Sequence, residues 1–146
     1  MEGYLREAEE EDMELLFQWV NEPGVRKGSF STAEITYEEH REWYKKLLAS
    51  ENSRQYIYIC AGEAIGQARI AIMDDAAVVG YSICAEKRGM GHGKKLLHLL
   101  EIQVKRDFPN VKKLVAKVKQ GNIASQRAFL GAGYMEAYEV FELHVV

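Results

Sequence analysis

Arg88-Gly89-Met90-Gly91-His92-Gly93-Lys94 stands between an apolar stretch, Ala76 to Ile83, and a segment whose Leu96, Leu97, Leu100 and Val104 recur at helical spacing. A glycine-rich turn from a strand into a helix gathers unpartnered backbone N–H groups at the positive end of the helix dipole, which makes an anion site. Glycines that merely permit a tight turn are the plainer reading. The anion implied is a phosphate or pyrophosphate, and spacing decides which kind of loop holds it. A P-loop needs Gly-x-x-x-x-Gly-Lys-Ser/Thr, but the residue five before Gly93 is Arg88 and the one after Lys94 is Lys95. A dinucleotide fingerprint needs Gly-x-Gly-x-x-Gly, and counting from Gly89 or Gly91 puts Lys94 or Leu96 in place of the third glycine. What remains is Arg88-x-x-Gly91-x-Gly93.

Working outward, Arg54 to Cys60, Ala64 to Met73 and Ala76 to Ile83 read as three strands, joined by turns at Ala61-Gly62-Glu63 and Asp74-Asp75. They lie close enough in sequence to form an antiparallel meander, unlike a run of βαβ units. The helix after Gly93 stops at Pro109, and Lys113 to Lys119 alternates as a half-solvated strand. Asn122 opens another helix, which Gly131 and Gly133 end before a last strand around Tyr138 to Val145. Upstream, Gly3 to Ala8 is a short strand, Met13, Leu16, Phe17 and Val20 mark a helix ending near Pro23, and Thr36-Tyr37-Glu38-Glu39 opens a second helix as a capping box. The segment between those helices, with Arg26 and Lys27, reads as a flexible polar loop.

The 146 residues, 47% hydrophobic, suit one globular domain, and no linker or repeat divides them. A net charge of −3 supplies no basic field, so binding to nucleic acid through phosphate neutralisation is not expected, and an anionic ligand must be met by local cations. Cys60 and Cys84 have no metal-site or disulfide-framework spacing and read as two buried thiols; no metal is expected. Cys84 as an acyl-carrying nucleophile lacks an indicated base. Met1 to Glu7 shows no cationic region followed by an apolar run, and no apolar run approaches a bilayer span, so a cytoplasmic protein without a membrane partner is expected.

Arg88-x-x-Gly91-x-Gly93 resembles the pyrophosphate-binding motif of the GNAT superfamily of N-acetyltransferases. Gly80-Tyr81-Ser82-Ile83 is similar to the strand that carries the pantetheine arm there, and Asn122-x-x-Ser125 followed by Gly133-Tyr134 looks like the superfamily's second motif. The resemblance spans the chain in element order and is close from about Arg69 to Tyr134. It implies an α/β (α+β) fold: a mixed, mostly antiparallel central sheet with splayed strands 4 and 5, flanked by about four helices. It implies acetyl-CoA as cosubstrate, its pyrophosphate at Arg88, Gly89, Met90, Gly91, His92, Gly93 and Lys94, with Ile83, Asn122, Ser125 and Phe129 along the rest.

Amide formation from a thioester needs a neutral amine, a stabilised oxyanion and a thiolate that leaves. By resemblance, the oxyanion falls to the backbone N–H near Ile83. The superfamily commonly protonates the thiolate with a tyrosine seven residues after the motif asparagine, and here that residue is Phe129. Water, Ser125, Tyr134 or Tyr138 are the substitutes, and a non-catalytic acyl-CoA-binding module is the reading from another class that Phe129 motivates. For the base, Glu34, Glu38, Glu39, His40, Tyr58 and Tyr81 are available, and spacing selects none. His40 and Tyr81 are candidates for the acceptor site; His40 beside Trp43, Tyr44 and Leu47 also reads as packing, and the capping-box carboxylates read as caps.

Trp19 to Lys27, Ile35 to His40 with Trp43, and Gly66-Gln67-Ala68-Arg69 are similar to the GNAT enzymes that acetylate the 4-amino group of a UDP-linked aminodideoxy sugar on the way to pseudaminic acid. That resemblance implies a nucleotide-sugar acceptor, whose diphosphate Arg26 and Lys27 would meet if they are more than a solvated pair. Gly-Tyr-x-Ile and Glu-Glu-His also occur in the branch that acetylates ribosomal-protein N-termini, which makes a peptide amine the alternative. A monomer or homodimer is expected.

Overall fold

A computed structural model describes residues 2–145. Five strands form one sheet in sequence order: β1 (Gly3–Glu7), β2 (Ser53–Cys60), β3 (Glu63–Met73), β4 (Ala76–Ile83) and β5 (Lys113–Ala116). The first four pair antiparallel, and β5 joins β4 in parallel. A parallel partner cannot be reached by a tight turn, so the chain crosses over through α4 (His92–Asp107). The other helices are α1 (Met13–Val20), α2 (Pro23–Gly28), α3 (Tyr37–Ala49) and α5 (Ile123–Gly131).

Helices cover both faces, which is why β2 is buried through its last six residues instead of alternating. Against one face pack Leu96, Leu97, Leu100 and Val104 of α4 and Phe129 of α5, over Tyr56, Tyr58, Ala68, Ile70, Val79 and Ile83. Against the other pack Leu16 of α1 with Tyr44 and Leu47 of α3, over Ile57 and Ile59. Consecutive residues of a strand therefore belong to different chemical compartments. On β4, Tyr81 and Ile83 face α4 and α5, whereas Ser82 faces the α1 and α3 side.

The expected fold is present, with four differences of detail. The Arg26 segment is helix α2: Pro23 starts it and the Glu22 carboxylate accepts the Val25 N–H at 3.1 Å. Five helices rather than four result. Strand β5 stops at Ala116 instead of Lys119, because only four residues find register partners, Lys113 to Ala116 against Ala76 to Val79. No strand forms over 138–145, where Tyr138, Val140, Phe141, Leu143 and Val145 are exposed. Alternation there breaks between Val140 and Phe141, and the segment pairs with none of the five strands.

Candidate active site

Helices α2, α3 and α5 are capped by the side chains of Glu22, Thr36 and Asn122; α4 has no side-chain cap. It starts from Gly91 at φ +83°, with Gly89 also left-handed at +78°. A side chain at either position would be strained by the backbone conformation although the space around each is open. Its first turn holds no acid and begins His92-Gly93-Lys94-Lys95. Uncapped N–H groups, the helix dipole and two lysines thus face the same way, toward an anion. Met90 is exposed beside them.

β4 pairs with β3 along its full length but with β5 only through Val79, so Gly80 to Ile83 continue past the point where β5 has left. That is the splay. On its α4/α5 side Tyr81 packs edge-on to Phe129 with ring centroids 5.4 Å apart, and its hydroxyl lies 3.5 Å from Ser125 Oγ. A Cβ at Gly93 would stand 3.2 Å from the Tyr81 ring and 3.6 Å from Ala128, so glycine there lets α4, β4 and α5 converge. Tyr81 therefore lies on the α4/α5 side of the sheet, facing away from the cavity on the α1/α3 side, because its parity along β4 is that of Val79 and Ile83. Burial raises its pKa, and Ser125 partly offsets this.

Asn122 caps α5 by accepting the Ser125 N–H at 3.2 Å. The helix ends in a Schellman turn: Gly133 at φ +98°, Tyr134 N–H to Phe129 O at 3.0 Å and Gly133 N–H to Leu130 O at 3.1 Å. This turn sets Tyr134 edge-on against Phe129 at 4.9 Å. The Tyr134 hydroxyl is buried without a partner, and burial, with the Glu101 charge, pushes its pKa up to about 12. Phe129 itself is buried between these two tyrosines.

Arg88 turns back rather than out. Its Nε donates to Ile83 O at 3.0 Å and its Nη2 to Glu22 Oε2 at 2.6 Å, tying the end of β4 to the start of α2. Lys119 Nζ donates to Lys27 O at 3.0 Å, so α2 also reaches the chain just past β5. Arg26 is largely occupied: Nε donates to Val20 O at 2.7 Å, Nη1 to Ser31 O and Ala33 O, and Nη2 to Ser29 Oγ. Its guanidinium staples the chain around α2 and keeps one N–H, on Nη2, without a partner among the described residues. Lys27 is exposed.

On the opposite sheet face a small cleft of about 40 Å³ lies between α1, α2, α3 and the strands. Leu16, Trp19, Val20 and Val25 give it an apolar wall, and His40 and Trp43 come from α3. Its floor is polar: Gln55 Nε2 donates to Gln67 Oε1 at 2.7 Å, and Gln67 Nε2 donates to Ser82 Oγ at 3.0 Å. Arg69 completes the lining, its guanidinium 5.0 Å from the centre of the Trp43 ring. His40 is stacked on Tyr44, tilted against Phe17 and Trp43, and its buried Nε2 has no partner. Burial lowers its pKa, so the ring is neutral near pH 7. Enclosed in that stack, Nε2 does not reach the cleft's open space. Sequence reasoning missed Gln55 and Ser82 as cleft residues; the available signal was polar residues interrupting apolar strands on one parity.

The two compartments meet at Gly80 to Ile83: Ser82 is the end of the polar floor, while Tyr81 and Ile83 face the glycine loop. A thioester brought along the splay would meet an acceptor lying on Ser82. Cys84, with its pKa raised chiefly by burial, is not a thiolate at neutral pH. Among the described residues no group of three or more His, Cys, Asp or Glu could hold a metal ion, and no helix is long and apolar enough to cross a membrane.

Known proteins share this fold. The fold is similar to that of the spermidine N-acetyltransferase from Vibrio cholerae in complex with CoA and spermine, with TM-score 0.85 and 18% identity over 99% of this chain and 87% of that one. It is similar to AAC(6')-Ib in complex with paromomycin and acetyl-CoA, at 0.82 and 24% over 94% and 85%, and to a ribosomal L7/L12 alpha-N-protein acetyltransferase in complex with CoA, at 0.76 and 22% over 88% and 77%. No curated protein matches the chain in sequence. The model of the acetyltransferase (GNAT) domain matches residues 4–135, from β1 to just past the Schellman turn. With the uncapped glycine start of α4 and the splayed β4, that match makes the chain a member of the GNAT acetyltransferases and an N-acetyltransferase.

Proposed function

We propose that this enzyme transfers an acetyl group from acetyl-CoA to the 4-amino group of a nucleotide-linked amino sugar. The observation that carries the transfer is the double-faced segment Gly80 to Ile83, with an anion-binding helix start on one side and a polar cleft on the other. The choice of acceptor rests on the similarity of Trp19 to Lys27, Ile35 to Trp43 and Gly66 to Arg69 to the UDP-amino-sugar enzymes.

The donor supplies an activated thioester; the chain supplies position and protons. Backbone N–H groups of Gly89 to Lys94 hold the pyrophosphate. The free edge of β4 near Ile83 donates to the oxygen on which negative charge develops. Tyr81, protonated at neutral pH because burial raises its pKa, gives the departing thiolate its proton, with Ser125 fixing the hydroxyl. This assigns to β4 the task that Phe129 has lost. His40 packs the cleft wall as a neutral ring. The amine sheds its proton to water reached through the Gln55, Gln67 and Ser82 floor.

The test is thiol release from acetyl-CoA with a UDP-4-amino sugar, spermine, kanamycin and a peptide with a free N-terminus. The reading expects kcat/KM for the UDP-amino sugar to exceed the others at least 100-fold. Turnover confined to peptides would transfer the assignment to N-terminal acetylation.

A further inference from the structure

The acceptor cleft has one feature that its neighbours' polyamine and aminoglycoside substrates do not explain. Its lining contains a guanidinium, Arg69, and no carboxylate. Arg69 makes no ion pair among the described residues, although Arg6, Arg54 and Arg88 each have one. A cationic polyamine entering such a cleft would find repulsion and no counter-charge.

Arg69 is exposed at the rim of the cleft. Its guanidinium lies over the Trp43 ring, and in the β3–β4 register it sits opposite Gly80. That contact leaves its N–H donors open, and a guanidinium fork suits bidentate contact with an oxyanion. Along β4, Gly80 is two residues from Ser82, roughly 7 Å. A group bound at Arg69 is therefore about one sugar ring or one four-carbon chain away from an amine over Ser82.

We propose that Arg69 is the anion subsite of the acceptor, so the physiological amine carries a carboxylate or phosphate about a ring's length from the nitrogen that is acetylated. This rests on the acetyl-transfer reading of the cleft and deepens it. It also moves the diphosphate contact expected at Arg26, most of whose donors bind its own chain, to a residue on the sheet. A nucleotide diphosphate and a simple carboxylate share the chemistry, and the assay separates them.

The experiment compares wild type, Arg69→Gln and Arg69→Lys with a UDP-4-amino sugar, the methyl glycoside of the same 4-amino sugar, and an amino acid whose amine and carboxylate are separated by a four-carbon chain. Circular dichroism and acetyl-CoA affinity report folding. Arg69→Gln is expected to raise KM for the anion-bearing acceptors at least ten-fold more than for the methyl glycoside, with kcat changed little, and Arg69→Lys is expected to recover part of the loss. UDP alone, or the amino acid's N-acetyl product, should inhibit wild type competitively against the acceptor and lose at least ten-fold in Arg69→Gln. Turnover of amino acids but not of the UDP-amino sugar, with the Arg69 effect intact, would keep the subsite and overturn the sugar reading. An unchanged KM in a folded Arg69→Gln enzyme, or spermine and kanamycin as the preferred acceptors, would overturn the subsite.

Discussion

Phe129 occupies the position where the superfamily pattern has a tyrosine, and its neighbours explain how the site works without it. Tyr81 reaches the same ring from β4 and ends beside Ser125, whereas the Tyr134 hydroxyl is buried on the far side without a partner. If Tyr81 is the acid, Tyr81→Phe lowers kcat by about 10²-fold, most on the alkaline side where water is a poor substitute, and Phe129→Tyr in that background restores part of it. Steady-state pH profiles of the two variants and their combination check this. Unchanged turnover in Tyr81→Phe would assign protonation to solvent. Phe129 as a departure was legible in the sequence because the motif asparagine fixes the count. The place of Tyr81 beside it was not, because only strand parity and the distance to Ser125 put the phenol there.

Local chemistry made α4 legible and hid α2. Glycines at 89, 91 and 93, between an apolar strand and an amphipathic helix, announce both the helix start and the anion site, and two of them adopt the left-handed backbone that only glycine takes without cost. Gly91→Val is expected to lose roughly 1–2 kcal/mol of stability from that conformation and to weaken acetyl-CoA binding at least ten-fold beyond it, as read by calorimetric titration of folded protein. Wild-type affinity would remove the loop from the site. Helix α2 is six residues long, contains Gly24 and Gly28, and is capped by a glutamate, so pattern and propensity pointed to a loop. What makes it a helix is tertiary: Arg26 donates to four separate groups around it, and Glu22 pairs with Arg88 from the end of β4.

At the scale of the molecule, one sheet has helices on both faces, and the proposed division of the reaction gives the cofactor the α4/α5 side and the acceptor the α1/α3 side, joined where β5 leaves β4. That division was readable in outline: the meander, the crossover helix and the glycine loop are contiguous signals, and together they specify the fold. The acceptor cleft was not, since Gln55, Gln67, Arg69 and Ser82 come from three strands and share a wall only through antiparallel register. The stretch 138–145 looked like a strand because alternation is a local property, while a strand forms only where its backbone pairs with a neighbour, and this segment pairs with none. The most direct measurement of the central claim is the thermal midpoint with and without acetyl-CoA. A ligand that binds only the native state at a hundred times its Kd stabilises it by about 2.7 kcal/mol. A clear rise in midpoint with acetyl-CoA, with NADH and ATP-magnesium far less effective, is the predicted result; equal shifts from ATP-magnesium, or none from acetyl-CoA, would contradict the account.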